Sequence, residues 1–258
     1  MNFREAILEG AFEAGRLLKE SKWEESLRSD PREVDVFGAI VSKKIQLLFR
    51  PLDGLLGVYL PGATPGILVS TERNLAIQRW TAAHEFGHFV LKHRAHLDDD
   101  EILRRSPFES RMYNTQEAAA DSFAIGFLMP KWLIELHARR NGWSRRDLTQ
   151  PQIAYQLALR LGVSYEALCR TMFRYSLITS AELGPLVRVQ PSKVKKTILG
   201  GYKLPDWHPD VWVITQSDKG KRILASPGDV LVFHLREKSG AGMMRWQPLV
   251  AGWKSFGR

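Results

Sequence analysis

The residues with the most chemistry in their pattern are His84-Glu85-Phe86-Gly87-His88, an H-E-x-x-H. On a helix, His84 and His88 stand one turn apart on one face, so both imidazoles reach one metal ion while Glu85 reaches a water on it. Imidazole suits Zn²⁺, and a catalytic zinc takes three protein ligands and leaves a fourth position to water. Mn²⁺ and Fe²⁺ also accept a two-histidine, one-carboxylate set. The third ligand is expected from the next helical stretch, residues 116–124, where Glu117 and Asp121 are four apart and Ala118, Ala119 and Ala120 permit close approach of a neighbouring helix. An isolated E-x-x-x-D is ordinarily a solvated helix face. After an H-E-x-x-H on an apolar helix it reads as Glu117 ligating the metal and Asp121 accepting a hydrogen bond from the non-ligating nitrogen of a histidine. The set implies metal-dependent hydrolysis in which Glu85 takes a proton from water and hands it to the leaving group.

Other ligand schemes fit less well. A metzincin needs Gly at position 91 and His at position 94, where this chain has Leu91 and Arg94. His93 and His96 lie off the face shared by His84 and His88 and read as surface or loop residues; His137, His208 and His234 read as structural or exposed. Tyr113 and His137 are both candidates to approach a reacting carbonyl, and nothing in the spacing selects either.

The elements that must position these residues are legible in outline. Residues 3–22 have helical apolar spacing. Residues 34–40 suit either a short helix or a strand. Runs 45–49, 56–60 and 66–70, separated by Asp-Gly, Pro-Gly and Thr-Pro-Gly signals, predict a small antiparallel sheet. Helical character continues from Thr71 to Lys92, and the polar stretch 95–114 reads as a connection. A second active-site helix runs from Thr115, as N-cap, to Met129 before Pro130, and a third covers residues 131–140. Residues 152–175 read as two short helices around Gly162, and strands are expected at 211–215, 221–225, 230–236 and 244–248. The expectation is an α+β chain: a metallopeptidase domain at 1–140, a helix-turn-helix-like segment at 141–185 and a smaller, basic, β-rich domain at 186–258, with the last boundary between about Ser180 and Pro191.

With 258 residues and 44% hydrophobic side chains the chain can bury a sizeable core, which excludes collagen-like, disordered and disulfide-scaffold classes. The single cysteine, Cys169, leaves no cysteine-based zinc cluster and suits a reducing compartment. No apolar run reaches the ~20 residues that span a bilayer, and Glu5, Glu9 and Glu13 are unlike a signal peptide; a cytoplasmic protein without membrane contact is expected. The net charge of +9 is unevenly placed, −3 over residues 1–130 and +12 over 131–258.

Several stretches, in order, resemble the ImmA/IrrE metallo-endopeptidases of bacteria and their mobile elements. After Val34-Asp35-Val36, residues 52–59 (LDGLLGVY) are similar to the family's LDGLxGxY, residues 79–88 (RWTAAHEFGH) to its RxxFTxAHELGH, and residues 117–130 (EAAADSFAIGFLMP) to its ExxANxFAxxLLMP. Asp121 stands where the family commonly has Asn, which keeps the hydrogen-bonding capacity and adds a charge. The resemblance covers roughly residues 30–175. It implies a zincin-like domain with a gluzincin-like site: His84, His88 and Glu117 as ligands and Glu85 as base. It also implies a substrate, a helix-turn-helix transcriptional repressor whose cleavage derepresses stress-response or mobile-element genes.

Residues 153–168 resemble a helix-turn-helix, with Gly162 at the turn and Ser164 capping the second helix. That helix either enters a major groove, with Arg170 and Arg174 on phosphates, or packs beside the peptidase. Basic residues interleaved with Trp207, Trp212, Trp246 and Trp253 in the last segment suit single-stranded nucleic acid or a solvated face over a small β core. The competing functional class is a DNA-associated regulator whose metal site is structural or vestigial.

Overall fold

The computed structural model describes residues 2–93, 97–99, 114–204 and 208–235. The expected strand at 244–248 and the residues Tyr113, His96, Trp207, Trp246 and Trp253 lie outside them. Helix α1 (Phe3–Glu20) starts at a capping box in which the Asn2 side chain accepts from the Glu5 N–H and Glu5 accepts from the Asn2 N–H, both at 2.9 Å. Helix α2 (Trp23–Ser29) and α3 (Val36–Ser42) follow. The ambiguous stretch 34–40 is helical because Asp35 accepts from the Gly38 N–H and caps the first turn of α3.

The next three strands are β1 (Gln46–Arg50), β2 (Leu55–Leu60) and β3 (Gly66–Ser70). With β4 (Leu97–Asp99) they form a sheet in the order β1-β3-β2-β4. The sheet is mixed rather than antiparallel. β2 and β3 form the expected antiparallel hairpin, with Val58 opposite Leu68, but β1 pairs with β3 in parallel, with Leu48 opposite Leu68. The Asp53-Gly54 signal marks where the chain turns, not which strand becomes the neighbour. Burial decides that: β3 is covered and central, whereas β1 is largely exposed and takes the edge. β4 pairs antiparallel with β2 and converts part of the expected 95–114 connection into a strand.

Two helices buried on nearly every face cross each other, α4 (Leu75–Val90), which also packs on β2 and β3, and α5 (Thr115–Leu128). Asn74 caps α4 by accepting from the Ile77 N–H at 3.0 Å, and Asn114, one residue earlier than expected, caps α5. Their Phe86, Phe123 and Phe127 rings stack and meet edge-on at the centre of the core. Helix α1 packs across α5, where Ser122 Oγ donates to the Ile7 carbonyl at 2.7 Å. Helix α6 (Lys131–Arg140) starts at Pro130 as expected.

Helices α7 (Pro151–Leu161) and α8 (Tyr165–Arg174) meet at Gly162, whose φ is 64°, and Ser164 accepts from the Ala167 N–H at 3.2 Å. Beyond them the chain is more helical than expected. α9 (Ser180–Arg188) runs through Pro185, and α10 (Pro191–Leu199) begins with a proline at its first turn, where the missing N–H has no partner to lose. β5 (Val211–Thr215) and β6 (Val230–His234) form a two-stranded parallel ladder, with Val213 opposite Val232. Residues 221–225 form no strand.

Side chains of α7 hold β5 in place of a further strand. Gln156 donates to the Val211 carbonyl and accepts from the Val213 N–H, while Tyr155 donates to Asp210 and accepts from the Val211 N–H. Among the described residues, no helix is long and apolar enough to cross a membrane.

Candidate metal centre

Helix α4 delivers His84, Glu85 and His88, each 1% exposed, and α5 delivers Glu117 and Asp121, at 6% and 3%. The two helices cross where Gly87 faces Ala120: a methyl group on Gly87 would lie 3.1 Å from Ala120 Cα and from Phe123 Cδ1. That absent side chain lets the carboxylates of α5 come within reach of the histidines of α4. His84 Nε2 lies 3.0 Å from His88 Nε2 and 3.1 Å from Glu117 Oε2, and His88 Nε2 lies 3.5 Å from Glu117 Oε1. Ligand atoms of the three residues fall within 4.8 Å of one another.

Asp121 sets the orientation. Its Oδ1 is 2.8 Å from His84 Nδ1, so the proton of a neutral His84 belongs on Nδ1 and the Nε2 lone pair faces the centre of the triangle. His88 is arranged alike. Its Nδ1 is 3.0 Å from Nδ1 of His93, a residue expected to be off the face but brought back by the chain turning after α4. Burial and then the neighbouring His88 push the His93 pKa down to about 4, so His93 stays neutral, and with its own proton on Nε2 it accepts the His88 Nδ1–H. In that pair of tautomers both Nε2 lone pairs face each other and a carboxylate.

That donor set fits a divalent cation. Glu117 Oε1 is buried and, among the described residues, has no hydrogen bond. Burial alone raises the Glu117 pKa, but while the imidazoles carry protons on Nε2 their hydrogen bonds, and then their charge, outweigh it and hold the carboxyl well below its usual range, so Glu117 is ionised. Lone pairs and a carboxylate left facing one another in a low-dielectric interior repel, and a metal ion among them satisfies all three.

The sequence model of the IrrE N-terminal-like domain family, Peptidase_M78, matches residues 42–173, about half of the chain and all of the elements just described from β1 to α8. The chain belongs to this family. Peptidase_M78 is a metallopeptidase family, in keeping with a buried two-histidine, one-glutamate group able to hold a metal. A comparison with curated proteins found no match.

In this Peptidase_M78 chain the Glu85 carboxylate approaches β2, because a methyl group on Gly57 would lie 3.3 Å from Glu85 Oε1. A glycine inside a strand pattern is the signal that points to such an approach. Arg174, which the groove-entering alternative would put on a DNA phosphate, donates to Ser122 Oγ at 2.9 Å, and the charge of Asp121 acts on it, as the packing alternative requires. The second helix of the helix-turn-helix-like pair thus braces the metal-site helix. Arg170 remains on the surface, paired with Glu166 at 2.7 Å. Arg79, one and a half turns before His84, is 3% exposed and clamps three segments: it donates to the Val34 and Gly162 carbonyls at 2.7 and 2.9 Å and pairs with Glu33 at 2.9 Å. His137 belongs to a different cleft, lined by Arg32, Arg140 and Lys221, and takes no part in this centre.

Proposed function

We propose that the chain is a zinc-dependent endopeptidase that cleaves a helix-turn-helix transcriptional repressor and thereby derepresses stress-response or mobile-element genes. The observation that carries the catalytic part of this reading is the buried convergence of His84 Nε2, His88 Nε2 and Glu117, with Glu85 next to His84 on the same helix. His84, His88 and Glu117 would hold the ion, and Asp121 and His93 would fix the two imidazoles. The ion, when bound, supplies Lewis acidity toward a water and a scissile carbonyl. Glu85 takes the water proton on its carboxylate and delivers it to the leaving amine, so it serves as base and then as acid.

The repressor class of substrate rests on family membership, together with the resemblance of the motif set to the ImmA/IrrE enzymes. The purified chain, incubated with the helix-turn-helix repressor encoded beside it, is expected to cut that repressor at a discrete position. Cleavage should stop with a strong chelator, return with Zn²⁺ ahead of Mn²⁺ or Fe²⁺, and be absent in Glu85→Gln. Chelator-resistant cleavage, or full activity in Glu85→Gln, refutes the mechanism.

The +12 charge of residues 131–258 supports an accessory role in holding the enzyme near promoter-bound repressor rather than reading DNA sequence. Two observations favour that over a sequence-reading module: Gln156 and Arg160 of α7 are occupied by β5, and Arg174 by Ser122. Cleavage should then be faster on operator DNA than in free solution.

A further inference from the structure

His137, on α6, is 5% exposed, and among the described residues its Nε2 has no hydrogen-bond partner. Leaving such an atom buried and unsatisfied is destabilising. The other ring nitrogen is engaged by the backbone of Arg32, so Nδ1 donates to a carbonyl and the Nε2 lone pair is directed away from it. The ring lines a cleft at the junction of the 30–33 loop, α6, α7 and the 221–224 segment that follows β5.

The charge around this ring is positive and only partly balanced. Arg32 is paired with Asp30 at 3.0 Å, Arg160 with Asp218 at 3.1 Å, and Glu33 with Arg79. Once these acids are assigned, Arg140, Lys221 and Arg222 have no carboxylate partner among the described residues. Arg140 uses Nη2 on the Arg28 and Ser29 carbonyls, and Lys221 donates to the Arg140 carbonyl and to Asn141. A guanidinium has five N–H donors and an ammonium three, so both keep donors in reserve. The cleft is small and opens to solvent at its mouth. It therefore combines a buried, protonatable nitrogen without a partner, three cations that form no ion pair among the described residues, although Asp218 acts on Lys221 at longer range, and room for a small ion.

We propose that this cleft is a binding site for a small oxyanion of the phosphate class, held by His137, Arg140, Lys221 and Arg222. His137 accepts a proton from solvent on Nε2 as the anion enters and then donates that N–H to it, which removes the buried, unsatisfied atom. Three unpaired cations favour a dianion over chloride or a carboxylate. Without an anion, burial and then the charges of Arg160, Lys221 and Arg140 keep His137 neutral, its pKa pushed down to about 4. An anion among those cations reverses the charge effect, and an opposite charge at this range favours the protonated ring by about 10- to 1,000-fold. The bound ion would also tie the 221–224 segment to α6, because Lys221 and Arg222 come from one and His137 and Arg140 from the other.

The test uses the full chain with inorganic phosphate as the probe, and sodium chloride and acetate at matched ionic strength as the other arms. Phosphate is expected to raise the melting temperature saturably, and ¹⁵N-histidine spectra recorded from pH 4 to 7 should show the His137 ring turning to the imidazolium pattern at a higher pH with phosphate than without it. Arg222→Ala, at an exposed position, should weaken phosphate binding by about tenfold while the protein stays folded, as expected for the loss of one charged hydrogen bond. His137→Phe should weaken it further. The proposal is overturned by equal stabilisation from chloride, by acetate binding as tightly as phosphate, by unchanged affinity in Arg222→Ala, or by a His137 signal that phosphate leaves in place.

Discussion

Replacing Gly87 with alanine tests whether the spacing of α4 and α5 sets the metal site. The added methyl would lie 3.1 Å from Ala120 Cα and Phe123 Cδ1 and 3.2 Å from the Ala120 carbonyl oxygen, against the ~3.5–4.0 Å at which carbon atoms pack best. The helices must then part by roughly half an ångström, and overpacking of that kind costs about 1–3 kcal/mol. Alanine recovers about 1 kcal/mol through helix propensity, so the net loss is about 0–2 kcal/mol, or a few degrees in melting temperature for a chain of this size. The larger effect falls on the metal. Glu117 rides on α5 one turn before Asp121, and sites of this kind tolerate only ~0.5 Å of displacement, so Zn²⁺ affinity should fall about tenfold, or ~1.4 kcal/mol. Gly15→Ala is the matched control: nothing lies within 4 Å of the new methyl, so it should gain about 1 kcal/mol and bind metal as wild type does. Thermal denaturation of the apo-protein and competition with a chromophoric chelator measure both quantities. If Gly87→Ala is as stable as Gly15→Ala and binds Zn²⁺ with wild-type affinity, the helix crossing does not set the site.

Asp121→Ala should lower metal affinity about 10- to 100-fold by releasing the His84 ring, whereas Asp121→Asn, which keeps an acceptor for His84 Nδ1, should stay within a few-fold of wild type in the same competition assay. Arg79→Met should destabilise the apo-protein by about 3 kcal/mol in urea titration, because it leaves the Glu33 charge and the Val34 and Gly162 carbonyls without their partner. A pH titration reports on His137. Its folded pKa lies near 4, against 6.5 when unfolded, because of burial and then the charges of Arg160, Lys221 and Arg140. Its contribution is therefore fully present above pH 6.5 and is lost as pH falls toward 4, up to about 3 kcal/mol for that difference. His137→Phe should flatten the stability curve over that window, and an unchanged slope would show that His137 is not buried neutral.

The order of strands in the sheet illustrates what local patterning leaves open. Turn residues between β1 and β2 were readable, but the pairing partner of β1 depends on which strand the core covers, and that is decided by the whole domain. The helix Pro191–Leu199 was hidden behind a proline that reads as a breaker unless it is placed at the first turn. Helical projection carries His93 off the His84 face, but that projection no longer applies once α4 has ended at Val90. For Arg174 the sequence leaves a DNA phosphate and packing beside the peptidase as alternatives, and only the tertiary structure shows that its helix turns it toward Ser122.

His84, Glu85 and His88 were legible from sequence because the covalent chain and the 3.6-residue helical period alone put them on one face. Glu117 and Asp121 were legible as a pair for the same reason, and as partners of the histidines only by inference from the motif before them. Their distances from the imidazoles follow from the tertiary structure: from the absent side chain at Gly87, the alanines opposite it and the phenylalanine core that holds the two helices together. The same holds for the cleft around His137, whose cations come from segments more than 80 residues apart. Periodicity reports how one element presents its side chains, but the distance between elements is set by packing against all the others.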